Sequence, residues 1–228
     1  KQVLRTGIVL YGFKLTFQSV IDIGGAALLI DLIVVSLTIL LGAGLGRLLK
    51  MDRDTALLTS IGSSICGAAA VLGAEPVVKS KPYKAAVAVS TVVIFGTLSM
   101  FLYPALYRAG MLNLTTEQMG LFTGATLHEV AHVVGAGNAM GQAISDPAII
   151  VKMIRVMMLA PVLVILSIIL SRREAAAGQT GQKRKITIPW FAFLFLAVIG
   201  FNSLHLLPSG VVSAINSLDT FLLTMAMT

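Results

Sequence analysis

Between positions 85 and 107 the chain runs for 23 residues without a charged side chain, and no other feature restricts its fold as severely. About 20 apolar residues wound as helix cross the ~30 Å hydrocarbon core of a bilayer. Other stretches have similar character. Residues 152–171 and 186–206 qualify, as does Gly25–Leu48 with Asp31 inside it, while 3–20 and 211–228 are shorter candidates. Composition agrees: 57% of residues are apolar and 12% charged, against about 25% charged in soluble chains. Too little polar surface is left to face water, and the expected fold is an all-α, polytopic membrane protein.

The formal charge of +7 suggests nucleic acid only until the basic residues are located. They cluster between apolar runs, as Arg47, Lys50 and Arg53, as Lys79, Lys81 and Lys84, and as Arg172, Arg173, Lys183, Arg184 and Lys185. Such clusters mark cytoplasmic loops, so a nucleic-acid partner is not expected. The single cysteine, Cys66, rules out a disulfide framework within this sequence and is given no redox role. Both ends fall inside apolar segments and no cleavable leader is visible, so a fragment of a longer membrane chain is expected.

Two apolar segments, 55–74 and 118–141, are interrupted at mid-span by small and polar residues, across 62–67 and 128–138. Non-helical backbone at membrane depth leaves amides and carbonyls unpaired, which is tolerable only where protein or a watery cavity receives them. These breaks therefore point to a site. Full crossings would put the basic clusters at 47–53 and 79–84 on opposite faces. Hairpins dipping in from opposite sides would put all three clusters inside, as an inverted-repeat transporter would. Discontinuous crossing helices stay open as the alternative. The domain reading is membrane helices over 1–171, a cytoplasmic linker over 172–185, and the truncated start of a second, inverted repeat over 186–228.

Ionisable residues inside a bilayer are expensive and call for a functional account. Ser63, Ser64, Cys66 and Gly67 offer hydroxyls and free amides at a half-helix start, where a partial positive charge suits an anion. His128, Glu129 and His132 would line a polar cavity and relay protons, with Gly137 and Asn138 in the same interruption. Lys152 and Arg155, three apart, share one helix face and form a cationic pair, Arg155 lying the deeper. Lys14, Asp31, Asn202 and Asp219 read as helix-to-helix pairing. The same residues allow another chemistry. His128-Glu129-Val130-Ala131-His132 fits the pattern in which two imidazoles on one helix bind zinc beside a glutamate base, as in an intramembrane metalloprotease. A third ligand is lacking, His205 and Asp219 being the only downstream candidates. A non-transporting scaffold would leave these polar groups satisfying one another.

Four blocks carry a resemblance: 4–16 (LRTGIVLYGFKLT), 62–70 (GSSICGAAA), 127–137 (LHEVAHVVGAG) and 152–156 (KMIRV). In this order they resemble the YeiH family of bacterial inner-membrane proteins, which goes by the name of sulfate exporters, over essentially the whole sequence. The resemblance implies a multi-pass secondary transporter of about ten helices, distantly similar to the bile-acid symporter and auxin-carrier group with its inverted repeats. It also implies glutamine in place of His132, a departure that sits badly with an obligatory zinc. The resulting expectation is a transporter, not an enzyme, moving sulfate, a related sulfur oxyanion or an organic anion. It would use no cofactor or metal, with protons or Na+ as coupling ions, and its partners would be the bilayer, the anion and further copies of itself.

Overall fold

The computed structural model describes residues 6, 9–14, 16, 18, 25–176, 190–204 and 206–227, and among these every regular element is helical. After a 3-10 turn at Tyr11–Lys14 come α1 (Gly25–Leu48), α2 (Arg53–Ser64), α3 (Ala68–Val78), α4 (Pro82–Arg108) and α5 (Thr116–Thr126). Then follow α6 (Val130–Met140), α7 (Gln142–Met157), α8 (Leu159–Ala176), α9 (Trp190–Ser203) and α10 (Ser209–Met227). Among the described residues, three stretches are long and apolar enough to cross a membrane: Leu28–Leu48, Pro82–Arg108 and Gln142–Arg172.

Helix α1 shows why lipid is the right solvent. A narrow stripe of Asp31, Val35, Gly42 and Gly46 faces the protein, while Leu29, Leu40, Leu41 and Leu45 are all more than half exposed. In water that outer surface would drive aggregation; against acyl chains it is neutral. A Cβ added at Gly42 would strike Ser60, and one at Gly46 would strike Ala56, so α1 and α2 run antiparallel in close contact. Small residues allow such approach where no hydrophobic force drives helices together.

The chain then dips and returns. Asp52 caps α2, its Oδ2 accepting from the Thr55 amide at 3.1 Å. Lys84, in the first turn of α4, bonds Asp52 Oδ1 and Asp54 Oδ2, each at 2.8 Å. Helices α2 and α3 together hold 23 residues, about 35 Å if laid end to end, yet the chain before α2 and the chain after α3 meet across an ion pair. Segment 53–78 is therefore a re-entrant hairpin. Lys84 and the Thr55 amide hold the Asp52 carboxyl down at about 2.

The second dip comes from the other end of α4. Thr115 and Gln118 form a reciprocal capping box that starts α5, satisfying two orphan donors at once. Helix α6 runs back parallel to α4: Gly96 lies against His132, Gly135 against Met100, and the Arg108 guanidinium donates to the Ala139 carbonyl. Both ends of the 116–140 hairpin thus sit where α4 finishes, some 40 Å from Lys84 along a 27-residue helix. The hairpins enter from opposite faces, which decides between the two arrangements the sequence left open. It also brings the basic clusters at 47–53, 79–84 and 172–173 to one end, the cytoplasmic one by the positive-inside tendency.

Each hairpin is followed by a long helix, α4 after the first and α7–α8 after the second, pointing in opposite directions. Leu58, Ile61, Ile65, Val71, Ala88, Val92, Leu159 and Leu163 build the core around the first hairpin; Leu127, Val133, Ala136 and Ala148 build a smaller one around the second.

Several boundaries differ from expectation. The breaks are only 65–67 and 127–129, because Gly62 and the glycines of α6 serve helix packing. The span expected at 152–171 is longer, its helix beginning at Gln142. Residues 172–176 of the expected linker extend α8, and the rest of it lies outside the described residues, as do half of 3–20 and His205. At the far end, α9 packs on the 3-10 turn through Val198 against Gly12, an edge-on Phe13–Phe201 pair with centroids 6.4 Å apart, and Asn202 Nδ2 donating to the Phe13 carbonyl at 3.0 Å.

Candidate functional site

The tip of the first hairpin forms because α2 cannot continue. Ser64 donates its hydroxyl to the Ile61 carbonyl of its own last turn at 2.9 Å, Ile65 leaves the helix at φ −114°, ψ −88°, and Gly67 turns back at φ +67°. Only glycine suits Gly67 on both counts: the left-handed φ, and a Cβ position 2.5 Å from Glu129 Cγ. The tip of the second hairpin is extended, Leu127 at φ −67°, ψ 144° and Glu129 at φ −116°, ψ 154°.

The two tips meet, bringing together the C-terminal ends of α2 and α5 and the N-terminal ends of α3 and α6. Helix C-termini carry partial negative charge and N-termini partial positive charge, with orphan carbonyls and amides to match. Two side chains answer them. Lys152 Nζ, on α7, donates to the Ile65 carbonyl at 2.7 Å and to the Leu127 carbonyl at 2.6 Å, so one ammonium clasps both C-terminal ends. Glu129, from the second tip, accepts from the Ala68 amide at the start of α3 at 3.3 Å. Although it occupies the N-cap position of α6, Glu129 makes no side-chain bond to α6's own amides.

Around this junction lie further polar groups. Thr97 Oγ1 stands 3.3 Å from His132 Nε2, and the His132 ring lies over Gly96, where any side chain would displace it. The Nδ1 atoms of His128 and His132 are buried without a hydrogen-bond partner among the described residues, as is Thr123 Oγ1. Buried polar atoms left this way are rare and ask for an explanation. One turn from Lys152, Arg155 Nη2 and Nε donate to Asp31 Oδ1 at 2.7 and 3.1 Å, joining α7 to α1 with both side chains at most 1% exposed.

The structure thus divides the sequence candidates. Cys66, Gly67, His128, Glu129, His132 and Lys152 gather at the meeting of the tips. Ser63 lies half-buried in the last turn of α2, and Ser64 spends its proton on its own helix. Arg155 does not face an open site: Asp31 takes its charge. Lys152 is wholly buried and does not reach for an interface. Gly137 and Asn138 sit two turns along α6, where Gly137 packs on Ser145 and Asn138 Oδ1 accepts from the Ser145 hydroxyl at 2.9 Å; they belong to the α6–α7 contact. Lys14 and Asp219 have side chains outside the description. Sequence reasoning missed Thr97, the Ala68 amide and the Ile65 and Leu127 carbonyls. A restart of helix after Gly67 was the only available signal, and it pointed to Ala68.

The zinc pattern also reads differently in place. Helix α6 begins at Val130, so His128 and His132 do not share the helix face that the two-imidazole arrangement needs, and Glu129 is engaged with the other hairpin. Among the described residues no group of three His, Cys, Asp or Glu side chains is placed to hold a metal ion.

Comparison with known proteins places the chain among others of its kind. All of residues 1–228 match a family model described as conserved hypothetical protein 698. A UPF0324 membrane protein of Bacteroides thetaiotaomicron is 67% identical over 229 residues, covering 100% of this chain and 68% of the relative. The UPF0324 inner membrane protein YeiH of Escherichia coli K12 is 51% identical over 225 residues, and a UPF0324 membrane protein of Yersinia pestis 52% identical over 230. Each of these two alignments covers 98% of this chain and 64% of the relative. The chain therefore spans about two thirds of the relatives it matches. No solved structure matches.

Proposed function

We propose that this chain, which belongs to the UPF0324 family of membrane proteins that includes the inner membrane protein YeiH, is the larger part of a secondary transporter that carries a small anion across the bacterial inner membrane. The observation that supports this most is the pair of re-entrant hairpins, entering from opposite faces and touching tip to tip beside Lys152 and Glu129. Unwound backbone at membrane depth is a recurring feature of carrier substrate sites, where half-helix N-termini receive anionic groups. Here two such N-termini, of α3 and α6, converge with a lysine ammonium. Substrate would be a small oxyanion such as sulfate or sulfite, or an organic acid, held at the tips; movement of protons or Na+ would drive it.

A second reading has its own support. Lys152, Arg155 and Glu129 each have a partner within the fold, in the Ile65 and Leu127 carbonyls, Asp31 Oδ1 and the Ala68 amide, as a membrane scaffold would require. Flux separates the two. Full-length protein in proteoliposomes should move labelled sulfate or sulfite above empty vesicles, and Lys152→Met should abolish the movement. Equal flux with wild-type, variant and empty vesicles, across sulfate, sulfite and small carboxylates, favours the scaffold.

A further inference from the structure

The carboxylate of Glu129 is bound where an anion would be. It comes from the opposite hairpin, 61 residues along the chain, and takes the first amide of α3. Its methylene fills the space that Gly67 leaves empty. Lys152 of α7 stands at the same junction, its Nζ on the Ile65 and Leu127 carbonyls. His132, 7% exposed, lies three residues on from Glu129 against Gly96 of α4 and keeps Nδ1 without a partner among the described residues. A helix N-terminus with a buried lysine nearby selects for an oxyanion, and a tethered carboxylate satisfies that selection only while nothing better is present.

Resting on the transport reading, we propose that Glu129 is a built-in competitor of the substrate: an oxyanion group binds at the Ala68 amide only as the Glu129 carboxylate leaves it. The substrate class is then an anion with at least one terminal oxygen able to accept where Glu129 Oε1 now accepts, such as sulfate, sulfite, a sulfonate or a carboxylate. Halides, lacking that geometry, would compete poorly. Exchange also gives the carrier a closed empty state, since Glu129 returns to neutralise α3 when the anion departs and so links the hairpins again.

The test uses full-length protein in detergent, inorganic sulfate as probe, and titration calorimetry. Glu129→Gln keeps the shape and removes the charge, and should bind sulfate at least about tenfold more tightly than wild type, a difference of about 1.4 kcal/mol. A merely structural glutamate predicts the reverse, weaker binding by a loosened junction. Ala68→Pro provides the second arm, because proline suits the first position of a helix while deleting the contested N–H. It should weaken sulfate binding, and Glu129→Gln added to it should no longer tighten binding. If Glu129→Gln gains nothing over wild type, whether both bind or neither does, the exchange is overturned. Sulfate flux through wild-type vesicles judges the carrier separately: flux with unaltered binding in Glu129→Gln ends the exchange and leaves the transporter standing.

Discussion

Arg155 and Asp31 offer the sharpest check on the division between scaffold and site. The guanidinium makes two hydrogen bonds to one carboxylate oxygen, 2.7 and 3.1 Å long, with the two side chains 1% and 0% exposed. Truncating one partner of such a pair leaves a bare charge in a medium that cannot solvate it, at about 3–5 kcal/mol. With about 2–4 °C per kcal/mol for a chain of this size, Arg155→Met or Asp31→Leu alone should lower the melting temperature of the purified protein by roughly 6–20 °C. Replacing both by apolar residues removes the charges together, and such exchanges are often near neutral, so the double variant should recover to within about 2 kcal/mol of wild type. Circular dichroism melts in detergent follow the stability, and sulfate titration of the double variant follows the site, which should keep its affinity. An Arg155→Met protein that melts normally but has lost anion binding would show that the guanidinium serves the substrate and would refute the assignment.

Lys152→Met should loosen both tips together. Two charge-assisted bonds at about 1.5–3 kcal/mol each are lost and the burial of an ammonium is relieved, leaving roughly 1–3 kcal/mol; hydrogen exchange should quicken at both 64–68 and 127–131, and quickening at one tip alone would contradict the shared clasp. Gly67→Ala forces a Cβ into a left-handed turn already filled by Glu129, costing about 1–3 kcal/mol, read as a lower melting temperature that Glu129→Ala partly restores. Acid should act on the hairpin base. The Asp52 carboxyl sits at about 2, below its ordinary 3.8, so its stabilisation is complete above pH 3.8 and lost as pH falls toward 2; Asp52→Asn should flatten acid melting in that window, and an unchanged profile would remove Asp52 from the account.

Much of this was legible in the residues. A charge-free run of membrane length and two interrupted ones are local signals, and they located the spanning helix α4 and both breaks. Their extent was over-read because glycine serves two purposes. Gly67 turns the chain, whereas Gly135 and Gly137 stay helical and let Met100 and Ser145 approach. Direction could not be read, since it depends on Lys84 meeting Asp52 across 32 residues and Arg108 meeting Ala139 across 31. Arg155 was expected to face an anion for a similar reason: its partner Asp31 lies 124 residues away. Lys152 read as the shallower of the cationic pair because its segment was started ten residues late; with α7 beginning at Gln142, it falls at the depth of the tips.

Everything functional depends on the hairpins entering from opposite faces, and single-cysteine labelling in intact cells measures that most directly. With Cys66 and any cysteine beyond residue 228 replaced, cysteines introduced one at a time at Met51, Lys81, Asn113 and Gln142 would be offered a membrane-impermeant thiol reagent. Positions 113 and 142 should react from outside, and 51 and 81 only after the cells are opened. Reaction of 51 and 81 from different sides, or of 113 and 142 from different sides, would mean crossing helices and would contradict the fold on which the site rests.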